Sequence, residues 1–213
     1  MVSWVTISSL ATAGGTLVLA VATFSSVRSA NRAARVAEES LLAGTQPLLM
    51  PSRAEDAPLK VGFADDHFVM APGGAGTAEV TDDAIYLTMS VRNVGSGIAV
   101  LHGWRVEPER QLDLLAQLDR PPLESFRRLS RDLYIAAGDV GFWQGAFRDR
   151  SEAEFTDVRG RISAPDRLII DVLYGDHQGR QRIVTRFSLL PRGDGNWLVT
   201  VARHWNVDRA DPR

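Results

Sequence analysis

No side chain between Met1 and Val27 carries a charge, and the first to do so is Arg28. As a helix rising about 1.5 Å per residue, the stretch from Trp4 to Val27 would measure roughly 36 Å, more than the ~30 Å hydrocarbon core of a bilayer. Trp4, Leu10, Leu17, Leu19, Val21 and Phe24 supply its apolar surface, diluted by Ser8, Ser9, Gly14, Gly15, Thr16, Ser25 and Ser26. Hydroxyls in such a helix return their hydrogen bonds to the backbone, and Trp4 stands where an interfacial aromatic belongs. The expectation is a transmembrane anchor over residues 1–27. A cleaved signal peptide would open on basic residues, and a buried core helix seldom goes so long without a charge.

Arg28, Arg32 and Arg35 follow the span and no cation precedes it, so the positive-inside rule predicts an external N-terminus and a cytoplasmic remainder. The expected location is the cell membrane, crossed once, with the lipid bilayer as one partner. The small-residue pair Ala11 and Gly15 leaves homo-oligomers through this helix open. Residues 28–46 are rich in Ala, Arg, Glu and Leu, good helix formers, with Arg35 placed to pair with Glu38 and Glu39. They read as a helical stalk and linker, stopped by Gly44 and Pro47.

From Pro47 the period changes to alternation. Ile85, Leu87, Met89 and Val91 fall on one side of a strand, and Tyr86, Thr88, Ser90 and Arg92 on the other. Asn93 opens the turn NVGSG, whose Asn and glycines tolerate positive φ, before a strand over 98–106. Strands at 168–174 and 182–190 flank GDHQGRQ as a hairpin, and GDGN leads into a last strand with Trp197, Val199 and Val201 on one side. Shorter candidates are 48–51, 59–63, 133–136, 141–147 and 155–162. Residues 71–83 read as a Gly-rich mobile loop, and 108–132 as a long crossover with Leu112, Leu115 and Leu118 in helical turns. The fold class expected is therefore mainly β: a helical anchor and stalk, then an antiparallel immunoglobulin-like β-sandwich over 47–213.

At VRNVGSGIAV the chain resembles bacterial immunoglobulin-like sandwich domains in which a strand ends in an Asn–x–Gly–x–Gly turn. Its order of span, Arg-rich stalk, QPLL strand and a sandwich ending RHWNVDRADPR is similar to small membrane-anchored proteins of high-GC bacteria that lack an assigned activity. The resemblance implies a fold and an anchor, and no catalytic residue.

Chemistry-bearing residues are sparse. The chain has no cysteine, which excludes disulfides, thiol nucleophiles and thiolate metal sites. Net charge of −2 gives no bulk case for nucleic acid as a partner. Asp65, Asp66 and His67, and Asp176 with His177, offer metal-ligand types, but a site needs three or four convergent donors. His204 has no nameable partner, Gly73–Gly76 lacks the lysine and Ser/Thr of a phosphate loop, and no G-x-S-x-G is present. No catalytic residue, metal site or cofactor is therefore assigned. Two arginine clusters, Arg127/Arg128/Arg131 and Arg180/Arg182/Arg186, would either face anionic headgroups or pair with Glu124, Asp132 and Asp176. Trp143 in GFWQG is a binding aromatic or a core residue.

The function expected is a non-enzymatic, membrane-anchored module that binds or scaffolds another protein. The alternatives are an envelope-facing ligand-binding sandwich and a membrane-tethered metal-dependent hydrolase.

Overall fold

A computed structural model describes residues 4–107, 119–164, 166–193 and 195–209, with residues 4–11 and 43 described by their backbone alone. The chain forms two compact units, Met1–Gly44 and Thr45–Arg213. The first is one helix, α1 (Trp4–Ala43), unbroken across 40 residues. Thr16, Thr23 and Ser25 donate to the carbonyls of Thr12, Leu19 and Ala22, the back-bonding that hydroxyls inside a helix make. Leu17, Leu19, Val21 and Phe24 are exposed, and the side chains of Trp4 and Leu10 lie outside the described residues. Among the described residues, no helix is long and apolar enough to cross a membrane. Those side chains begin at Thr12 and reach Arg28 after a stretch that includes two glycines and several hydroxyls, which lowers its mean hydropathy.

The second unit is built from β1 (Leu49–Pro51), β2 (Leu59–Gly62), β3 (Phe68–Ala71), β4 (Ala75–Val80), β5 (Ile85–Asn93) and β6 (Ala99–Val106). It continues with β7 (Arg127–Ile135), β8 (Val140–Phe147), α2 (Ala153–Ser163), β9 (Leu168–Gly175), β10 (Ile183–Pro191) and β11 (Asn196–Asn206). Every strand except β2 and β3 belongs to one antiparallel nine-stranded sheet, ordered β8-β5-β4-β11-β10-β9-β6-β7, with β1 sharing the β4 edge of β5. The sheet curls on itself. Side chains from strands near its opposite ends, Trp104 on β6 and Trp143 and Phe147 on β8, meet edge-on at 5.4 and 5.1 Å.

Burial explains the curl. Ile85, Leu87, Met89 and Val91 all point inward and are fully buried, as the alternation predicts. They join Leu101, Trp104, Ile170, Val172, Tyr174, Phe187 and Leu189 in one interior. The opposite side of β5 is covered as well. The β2–β3 hairpin lays Val61, Phe63, Val69 and Ala71 over Tyr86, making a second small core. Trp143 is a core residue.

Three local expectations are corrected. Residues 155–162 form a helix, because Phe155, Val158 and Ile162 recur at three and four residues and so share one buried face. The supposed mobile loop at 71–83 contains β4, which ladders to β5 on one edge and β11 on the other, tertiary pairing overriding weak local propensity. The crossover placed at 108–132 ends earlier, since Arg127 already pairs with Trp104; Leu112, Leu115 and Leu118 lie outside the described residues.

The NVGSG turn works differently from expectation. Asn93 is buried and uses its whole amide. Oδ1 accepts from the backbone of Leu48 and Gly95, and Nδ2 donates to Gly97 at 2.6 Å and Ile135 at 3.0 Å. Gly97 is required by space, not by φ: a β-carbon there would sit 1.8 Å from the carbonyl oxygen of Thr45. The β9–β10 hairpin is present as predicted, with Ile183 opposite Tyr174.

Candidate functional site

β7 and β8 are consecutive and joined by a short turn, yet among the described residues no main-chain ladder links them. Among the described residues each is an edge strand, β7 pairing only with β6 and β8 only with β5. Their turn is pinned at Asn93, whose carbonyl accepts from Gly138 at 2.8 Å and whose amide donates to Asp139 at 3.0 Å. The seam closes there, where Ile135 packs against Gly141. Beyond that point, among the described residues, side chains alone cross it.

Arg131 donates to Oε1 of Gln144 at 2.9 Å and to the carbonyl of Gly62 at 3.1 Å. Arg127 reaches Glu152 at 2.6 Å and Glu154, and its guanidinium lies 4.8 Å from the centre of the Phe147 ring. Burial works against the charge on Arg127, but bonds to the two glutamates outweigh it and raise its affinity for the proton. Between these crossings lies a polar cleft of about 130 Å³, lined by Arg127, Arg128, Ser130, Gln144, Gly145 and Arg148 among others. Close packing requires a glycine at 145: a β-carbon there would come within 2.9 Å of the Trp143 indole and 3.0 Å of the Trp104 indole.

The local pairing expected for these arginines occurs with other partners. Glu152 and Glu154 take Arg127 in place of Glu124 or Asp132. Arg148, which sequence reasoning passed over, bonds Asp65 at 3.1 Å. Arg128 is exposed and has no hydrogen-bonding or ionic partner among the described residues.

The second cluster disperses. Arg182 chelates Asp208, and Arg186 is buried against Asp171 at 2.7 Å and Glu107 at 3.0 Å. The backbone of Arg180 donates to Asp176, capping the hairpin turn. Arg28, Arg32 and Arg35 are exposed along one face of α1 with Phe24 and Asn31.

The acidic and histidine pairs do not meet. Asp65 accepts from the Tyr86 hydroxyl at 2.7 Å and from Arg148, near the start of β5. Burial opposes ionisation of Asp65, yet those bonds bring its pKa down to about 2. His67 stacks on Tyr86 and bonds Glu79 at 2.9 Å. Asp176 shares Gln181 with Thr45, which lies against Gly97 beyond the far end of β5. From Tyr86 to Asn93 the strand spans roughly 23 Å, too far for one coordination sphere. No group of three or more metal-ligating side chains gathers among the described residues.

His204 does have a partner, which the sequence could not name. Its Nδ1 lies 2.7 Å from Oγ1 of Thr185, which in turn contacts the Tyr174 hydroxyl at 2.8 Å. The hydroxyl–imidazole pair has the composition of an activated nucleophile. However, Thr185 is fully buried, and burial pushes the Tyr174 hydroxyl up to about 12, so both are neutral interior groups. The relay ties β9, β10 and β11 together and, through the Leu49 amide, β1 as well.

No protein-family model, curated protein or solved structure matches the chain.

Proposed function

We propose that this chain is a single-pass, membrane-anchored, non-enzymatic protein-interaction module that receives its partner at the seam between β7 and β8. The observation that carries the reading is the seam itself. Two neighbouring edge strands leave main-chain donors and acceptors of β7 unladdered beside a cleft rimmed by guanidinium groups. Free strand edges are the surfaces that extended segments of other proteins join.

The anchor rests on the charge-free sequence before Arg28. From Leu17 to Val27 the helix rises roughly 16 Å, about half a bilayer core, and the uncharged sequence from Trp4 supplies the rest. Arg28, Arg32 and Arg35 orient it with the β unit in the cytoplasm. The immunoglobulin-like ancestry suggested by the Asn93 turn belongs to the same proposal.

Photo-crosslinking in cells tests the binding reading. A photoreactive residue at Arg128 or Ser130 gives a discrete adduct that one at exposed Thr200, on β11, does not. Equal labelling from Thr200, or no adduct from the seam, overturns it. A reporter fused after Arg213, with protease protection, tests the orientation; an external reporter overturns the cytoplasmic assignment.

A further inference from the structure

Between Met1 and Ala37 the only charged side chains are Arg28, Arg32 and Arg35, and the first acid of the chain is Glu38. With 3.6 residues per turn, the three arginines fall within about 60° of one another around α1. They share that face with Phe24, Val27 and Asn31, and the six exposed side chains line one shallow groove. None of the three arginines has an ionic or hydrogen-bonding partner among the described residues. Glu38 and Glu39 stand three and four residues after Arg35 yet make no bond to it. Both lie roughly 9 Å or more along the axis from Arg32, and farther still from Arg28.

The groove has two parts along the helix axis. Phe24 and Val27 lie at the end joined to the uncharged stretch, and the guanidinium groups follow over roughly 10 Å. A soluble anion or a nucleic acid would meet the cations and leave Phe24 and Val27 in water. A phospholipid presents an acyl chain and a phosphate in the order that the groove repeats. Guanidinium groups hold phosphate oxygens by paired, charge-assisted bonds. A zwitterionic headgroup would bring its own cation to three others, whereas an anionic one adds attraction at each.

We infer that this face of α1 binds an anionic phospholipid, with an acyl chain along Phe24 and Val27 and the headgroup phosphate held by Arg28, Arg32 and Arg35. This rests on α1 being the membrane anchor, and it goes beyond that reading by naming the lipid the anchor selects.

The test reconstitutes the full-length chain into phosphatidylcholine vesicles carrying a trace of spin-labelled phosphatidylglycerol or spin-labelled phosphatidylcholine. The fraction of each label whose motion the protein restricts is then measured. Restricted phosphatidylglycerol exceeds restricted phosphatidylcholine by about threefold or more, and raised salt shrinks the excess. The triple variant Arg28→Gln, Arg32→Gln, Arg35→Gln abolishes it, and the corresponding three changes to Lys keep most of it. Glutamine is a good helix former, so circular dichroism of the variant matches wild type. Equal restriction of the two labels, or an excess that the glutamine variant retains, overturns the lipid assignment and leaves the anchor in place. Flotation decides the anchor separately. A chain that floats with phosphatidylglycerol vesicles but not with neutral ones keeps the anionic site and loses the anchor; one that floats with neither loses both.

Discussion

Arg186 and Arg128 carry the same side chain on two strands of one sheet and end in opposite states. Arg186 lies on interior strand β10, is 3% exposed, and bonds two carboxylates, those of Asp171 and Glu107. Arg105 adds a second cation to that cluster, 3.6 Å from Asp171. Burial pushes the Glu107 carboxyl up against the pull of Arg105 and Arg186, which marks how dry the cluster is. Arg128 stands on an edge strand in water, where a guanidinium needs no partner to remain charged. The difference teaches that burial, not residue type, decides which arginines are used internally. A buried cation must be matched when the chain folds; an exposed one keeps its charge in water without a partner.

The comparison breaks most visibly at the buried end. Arg186→Leu leaves Asp171 and Glu107 buried with one cation fewer, and should cost about 3–5 kcal/mol in urea unfolding. A loss below about 1 kcal/mol would mean that the cluster is wetter than its burial implies. At the seam, Gly145→Val drives a side chain into the indoles of Trp104 and Trp143, at a cost of about 1–3 kcal/mol with a change in tryptophan fluorescence.

Acid should separate the two regions further. The Asp65 carboxyl has its folded-state pKa lowered from 3.8 to about 2, so the stability it contributes is complete above 3.8 and is lost as pH falls from there to about 2. Wild type and Asp65→Asn should differ in unfolding midpoint near neutral pH and converge toward about pH 2. A gap that persists at the acid end would show that Asp65 acts through shape and not charge. The smallest effect on stability belongs to Arg128→Ala, within about 0.5 kcal/mol of wild type. A larger loss would give Arg128 an internal partner and remove the basis for the contrast.

Some of this was legible in the chain. The alternation at Ile85, Leu87, Met89 and Val91 fixed which face of β5 is buried, and the GDHQGRQ turn marked the β9–β10 hairpin. Asn93 was visible as a turn residue, although its service to four backbone groups was not. The Arg127/Arg128/Arg131 cluster stood out as a run, but its expected acids were sequence neighbours. Neighbours on a strand point to opposite faces, so the true partners of Arg127 came from the start of α2. Arg148, Gln144 and Trp104 gave no sequence signal for the cleft they help to line, because nothing local connects them.

The sequence by itself determined the uncharged N-terminal stretch, the helix-forming residues that follow it, the antiparallel character of the second unit and the absence of thiol chemistry. Each of these follows from composition or from a period within a single element, and side-chain periodicity is a local property of the backbone. Only the tertiary structure decided that β7 and β8 part, that Thr185 meets His204, and that Arg186 is matched while Arg128 is not. Those outcomes depend on groups brought together from distant parts of the chain as the sheet curls, where burial sets the cost of leaving a charge or a hydrogen bond unmet.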